Sequence, residues 1–152
     1  MAVREPSRTG PAPQGRDPAP EAEAPLALVV DDEPQVRRLV STVLRRHGWS
    51  VLEAPDATAA LALARTDPPD LLVTDYDMPD ASGVDLAERL RLSDEDLPVV
   101  VVSGHPEAVR SLARLRGRAA FNHKPFDPDD LVSSVRSVAR RARLPRPTPD
   151  AG

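Results

Sequence analysis

Val99-Val100-Val101-Val102 sets four β-branched residues in a row with no polar position among them. A strand with one wet face alternates apolar with polar residues. An unbroken run needs burial on both faces, the condition of an interior strand in a parallel sheet covered by helices. Leu26-Ala27-Leu28-Val29-Val30 and Leu71-Leu72-Val73-Thr74 are runs of the same kind, while Trp49-Ser50-Val51-Leu52 and residues 118–121 are weaker strand candidates. Between them lie segments with helical spacing. Residues 34–47 carry Val36, Leu39, Val40, Val43 and Leu44 behind Pro34 and ahead of Gly48. The alanine-rich 56–65 has Asp56 as its N-cap, and further helices are expected over 84–92, 106–115 and 128–142, the last with Leu131, Val132, Val135 and Val138 on one face. Five strands, each followed by a helix, predict one α/β domain: a doubly wound parallel sheet with helices on both faces.

The foldable part is residues 25–143. Residues 1–24 are rich in Pro, Ala, Arg and Glu, and residues 144–152 repeat proline at 145, 147 and 149. Neither end can bury enough apolar surface to offset the entropy of ordering, so both are expected to be disordered. The net charge of −4 and pI near 5.4 argue against a dedicated nucleic-acid binder, and no direct DNA binding is expected. The chain has no cysteine, hence neither disulfides nor thiolate metal sites. No segment has the length and apolarity of a signal peptide or a membrane span, so a cytoplasmic protein with no membrane partner is expected.

Asp31, Asp32, Asp75, Ser103 and Lys124 follow strands one, three, four and five. Folded as predicted, they converge on the C-terminal rim of the sheet, where open parallel sheets bind ligands. Lys124 is the only lysine, although Lys and Arg together number 20. Its compact ammonium can reach a single phosphoryl oxygen, which a broad guanidinium does less well. Three clustered carboxylates repel one another unless a cation joins them, and hard oxygen ligands suit Mg²⁺. With the Ser103 hydroxyl as a donor, the set matches the needs of phosphoryl transfer: positioning and charge stabilisation. Taken singly, Asp31-Asp32 reads as a helix cap and Ser103-Gly104 as a turn. Their occurrence at successive strand ends is what carries the argument.

Four segments then acquire a collective meaning: Val29-Val30-Asp31-Asp32-Glu33-Pro34, Val73-Thr74-Asp75-Tyr76-Asp77-Met78-Pro79-Asp80-Ala81-Ser82-Gly83, Val101-Val102-Ser103-Gly104 and Lys124-Pro125-Phe126. Over about residues 26–142 the chain resembles the receiver domains of two-component response regulators. The resemblance implies a flavodoxin-like sheet of order 2-1-3-4-5. It makes Asp75 the phosphoacceptor, with Asp32, Asp75 and the Asp77 backbone carbonyl on Mg²⁺ and Asp31 acting through a water. Lys124 would pair with the phosphoryl group and Ser103 would move toward it. Phe121 matches the aromatic switch position, without the hydroxyl of the tyrosine often found there. Asp77 and His105 would set phosphate lifetime, and the Lys124-Pro125 bond would be cis.

The implied partners are a histidine kinase or histidine phosphotransfer protein, a downstream protein partner, and a second copy in a phosphorylation-dependent homodimer. Phosphorylation would switch the surface made by the fourth helix, fifth strand and fifth helix. The chain would catalyse only its own phosphorylation and dephosphorylation. Too little sequence follows residue 143 for an output domain, so a stand-alone regulator or a receiver from a hybrid kinase is expected. The alternative is a Mg²⁺-dependent aspartyl-phosphate phosphohydrolase of the haloacid-dehalogenase kind, suggested by Asp75-x-Asp77 with Ser and Lys downstream. The Asp31-Asp32 pair ahead of the nucleophile speaks against it. Arg110, Arg114, Arg116 and Arg118 form either a docking patch or a solvated face.

Overall fold

Alternate residues of each interior strand face opposite sides of one sheet, which is why the central runs contain no polar gap. The computed structural model describes residues 24–140. The expected disorder of the leader and of residues 144–152 therefore falls outside the described residues, apart from Ala24. In chain order the elements are β1 (Leu26–Val30), α1 (Pro34–Arg46), β2 (Ser50–Ala54), α2 (Ala57–Thr66), β3 (Leu71–Asp75), α3 (Gly83–Leu90), β4 (Val99–Ser103), α4 (Glu107–Leu112), β5 (Ala119–His123) and α5 (Pro128–Val138). The strands are all parallel in the order β2-β1-β3-β4-β5. The flavodoxin-like expectation holds.

Val99 and Val101 join Leu28, Val30 and Leu72 beneath α2, α3 and α4. Val100 and Val102 join Ala27, Val29, Leu71 and Val73 beneath α1 and α5. Burying each such side chain contributes about 2 kcal/mol, so a polar residue at any β4 position would be costly whichever face it met. Caps fix where the helices begin. The Asp56 carboxylate accepts from the Ala59 N–H at 2.8 Å, the Ser82 hydroxyl from Asp85 at 3.0 Å, and Asp127 from Asp129 at 2.7 Å. Gly48, at φ 92°, takes the left-handed turn that ends α1.

The element edges differ from the sequence expectation for local reasons. β2 starts after Trp49, whose indole is buried on the α1–α5 side. Val51 and Leu52 are only half-buried because β2 is an edge strand. α4 is six residues long rather than spanning 106–115. The N–H groups of Ala113, Arg114 and Leu115 bond back three residues, so the chain tightens into turns that still bury Leu115. β5 extends to His123 and delivers Lys124 directly at the rim. α5 ends at Val138, where Arg118 Nη1 donates to the Val138 and Ala139 carbonyls at 3.3 and 3.2 Å. The Lys124–Pro125 bond is cis, as expected.

Candidate functional site

Three strand ends and the start of the β5–α5 loop meet at one rim. Asp31, directly after β1, is buried, and every polar group it carries is engaged. Its N–H donates to the Ala54 carbonyl at 3.2 Å, and its own carbonyl accepts from Arg37 Nη1 at 2.8 Å. Its Oδ1 accepts from the Glu33 N–H at 2.9 Å and its Oδ2 from Lys124 Nζ at 3.0 Å. Asp75 ends β3 and is 7% exposed, with its Oδ1 3.5 Å from the same Nζ. Asp32 is exposed at the mouth, and carboxylate oxygens of Asp31, Asp32 and Asp75 all lie within 4.8 Å of one another. The amine predicted to meet these acids does so.

The electrostatics follow from crowding anions where water is scarce. Burial, reinforced by the charge of Asp31, pushes the Asp75 carboxyl up to about 6. Burial also raises Asp31. Burial opposes the Lys124 charge, but the hydrogen bond to Asp31 and the charges of Asp31 and Asp75 outweigh it and raise the amine's pKa. One ammonium does not neutralise this many carboxylates. Their oxygens are hard, close together and under-compensated, a donor set that fits Mg²⁺.

Ser103, the last residue of β4, is fully buried, and its Oγ accepts from the His105 N–H at 3.0 Å. Lys124 N–H donates to the Ser103 carbonyl at 2.9 Å, tying the two rim residues together. Asp77 lies in the β3–α3 loop, and its Oδ2 is 2.7 Å from His105 Nε2; both side chains are largely exposed. The two residues expected to flank a phosphoryl group thus meet each other. Phe121 is half-buried on β5 opposite Val101, its ring edge-to-face with His123 at 6.3 Å.

Several contacts were not foreseen. Glu33 Oε1 accepts from Lys124 Nζ at 3.1 Å, so the amine answers to a third acid besides Asp31 and Asp75. Asp80 accepts from the N–H groups of Ala57 and Thr58 at 3.2 and 2.8 Å, fastening the β3–α3 loop to the start of α2. Tyr76 Oη lies 2.9 Å from Ser111 Oγ in α4. Gly83 packs so tightly that a Cβ there would sit 2.1 Å from the Asp75 carbonyl oxygen, which fixes glycine at the start of α3. Sequence spacing announced Gly83 but not the side-chain partners. The arginine patch is partly spent inside the molecule: Arg114 pairs with Asp85 and Glu88 on α3, and Arg118 caps α5.

The response regulator receiver domain family matches residues 27–136. The chain is 37% identical over 115 residues to the probable transcriptional regulatory protein TcrX of Mycobacterium tuberculosis, covering 75% of this chain and 49% of that protein. It is 32% identical over 117 residues to the phosphate regulon transcriptional regulatory protein PhoB of Pseudomonas aeruginosa, covering 75% and 51%. Among solved structures, the Vibrio cholerae chemotaxis protein CheY4 superposes with a TM-score of 0.70 at 27% identity, covering 76% of this chain and 99% of that one. The chain spans about half the length of the curated relatives it matches. These relatives correct the expectation of no direct DNA binding, because they are named as regulators of transcription. The −4 charge is a property of the receiver unit and its flanks, and it carries no information about what the rest of a longer relative does. Among the described residues, no helix is long and apolar enough to cross a membrane.

Proposed function

Since the chain belongs to the response regulator receiver domain family, we propose that Asp75 accepts a phosphoryl group from a histidine kinase or histidine phosphotransfer protein. One observation carries this reading: Lys124 Nζ stands 3.5 Å from the Asp75 carboxylate inside a cluster of acids at the C-terminal rim of the sheet. An Asp75 oxygen attacks phosphorus, the P–N bond of the phosphohistidine breaks, and the departing imidazole nitrogen keeps that electron pair and takes a proton. Asp32, Asp75 and the Asp77 carbonyl, with Asp31 through a water, would hold Mg²⁺, which would supply the positive charge that lets one anion approach another. Lys124 exchanges a carboxylate partner for a phosphoryl oxygen. The Ser103 oxygen already accepts a hydrogen bond, which leaves its own proton free to donate to the phosphoryl group. Phe121 then follows into the space Ser103 leaves, and the α4–β5–α5 surface changes its preference for a partner.

In this reading the chain is a cytoplasmic signalling unit whose catalysis is confined to making and losing its own aspartyl phosphate. Asp77 and His105, paired across the mouth, regulate water access and hence phosphate lifetime. The test is incubation with Mg²⁺ and acetyl phosphate followed by intact mass. Wild type gains one phosphoryl group and Asp75→Asn gains none. Equal labelling of the two would remove Asp75 from the role, and sustained turnover of a phosphomonoester would point to the phosphohydrolase instead.

A further inference from the structure

Tyr76 follows the proposed phosphoacceptor directly in the chain, and both its backbone carbonyl and its phenol are committed. Its backbone N–H, beside the Asp75 carboxylate, weakly favours the ionised form. Its carbonyl accepts from the Gly83 N–H at 2.8 Å, holding the β3–α3 loop shut. Its phenol oxygen, at the far end of a ring packed against the α2–α4 side of the core, lies 2.9 Å from Ser111 Oγ. The one residue therefore joins the acceptor, its neighbour in the chain, to the middle of α4.

α4 is weakly built. It has six residues, and Pro106 at its N-terminus offers no side-chain cap. Arg114, just beyond its end, ties it to Asp85 and Glu88 on α3, away from the acid cluster. Phe121 on β5 has no hydroxyl with which to bond any neighbour. A polar connection from the acceptor to this helix therefore runs through the phenol. We infer that the Tyr76–Ser111 hydrogen bond couples the chemical state of Asp75 to the position of α4, making Tyr76 and Ser111 positioning residues for the α4–β5–α5 surface. This inference rests on the phosphoacceptor reading above. Esterifying the carboxylate adds bulk and charge at the residue to which the Tyr76 backbone is directly joined. A rigid ring with few rotatable bonds carries that displacement to Ser111, where a flexible side chain would absorb it.

The chain has no cysteine, so Val109→Cys, at an exposed position on α4, gives a unique site for an environment-sensitive fluorophore in this 152-residue chain. Mg²⁺ and acetyl phosphate are added, intact mass reports phosphoryl occupancy, and the fluorophore reports α4. In Tyr76→Phe and Ser111→Ala, occupancy should match that of the labelled parent. The α4 equilibrium should shift by about fivefold, the weight of one neutral hydrogen bond. The combined variant should change no more than either single one, because both remove the same bond. Full occupancy with an unaltered α4 response overturns the coupling alone, as do strictly additive effects. Loss of occupancy confined to the variants also overturns it, since the residues would then serve the transfer itself. Absence of phosphorylation in the parent overturns the phosphoacceptor reading and this inference with it.

Discussion

Lys124 Nζ lies 3.0 Å from Asp31, 3.1 Å from Glu33 and 3.5 Å from Asp75. An ammonium shared among three anions leaves each of them partly uncompensated, and Asp75, buried in this company, suffers most. Its pKa near 6 in the folded chain stands above the ordinary 3.8. Between those values the folded state binds more protons than the unfolded one, so stability falls as pH rises through that window and stays reduced above it. In a metal-free solution Asp75→Asn should therefore stabilise the chain by on the order of 2 kcal/mol at neutral pH. Chemical denaturation at several pH values checks this, and the advantage should shrink as pH falls from 6 and vanish below 3.8, where wild type is protonated in both states. A destabilised Asn variant would mean that the carboxylate is better compensated than its surroundings imply. Asp31, Asp32, Asp75, Ser103 and Lys124 were legible in the sequence because each sits where a strand run stops. Glu33 was not, since only the path of the β1–α1 turn decides whether that side chain folds over the rim or faces solvent.

Arg91 governs how two loops reach the sheet. From the C-terminus of α3 its Nε and Nη2 donate to the Leu97 carbonyl at 3.1 and 2.9 Å, Nη1 donates to the Arg116 carbonyl, and Nη2 also donates to Arg118 at 3.0 Å. One guanidinium thus satisfies carbonyls on both sides of β4, in the loop before it and in the turn before β5. Arg91→Ala should lower unfolding free energy by about 2 kcal/mol, and Arg91→Lys should recover only a minor part of the loss because an ammonium cannot make the fork. Urea titration reads this as a lower midpoint at unchanged slope; a lysine variant as stable as wild type would refute it. All ten elements could be read from the sequence because two-sided burial writes continuous apolar runs for β1, β3 and β4 and one-sided burial writes helical spacing for the helices. The length of α4 could not be read. Leu115 continues the apolar spacing, yet it is buried by tight turns rather than by a further helical turn. Ties such as Arg91 to distant carbonyls leave no periodic trace.

Parallel strands in the order β2-β1-β3-β4-β5 send every β-to-α connection out of the same edge, so the topology itself gathers the acids. Asp31, Asp32, Glu33 and Asp75 stand there with Lys124. The full cluster is a property of the assembled sheet, because in the unfolded chain Asp75 lies far in sequence from the consecutive Asp31, Asp32 and Glu33. A divalent cation that binds the cluster therefore binds the folded state selectively and must stabilise the whole molecule. At roughly one hundred times its dissociation constant, Mg²⁺ should add about 2.7 kcal/mol, seen as a higher thermal midpoint that EDTA reverses. NaCl at equal ionic strength should give far less, because screening acts on all surface charge and does not bridge particular oxygens. Asp32→Ala separates ligand loss from damage to the fold: Asp32 is exposed, so the variant should unfold as wild type does in EDTA, yet gain much less from Mg²⁺. An undiminished gain in that variant would take Asp32 out of the cation site, and no gain in wild type would mean that Lys124 already meets the charge requirement of the rim.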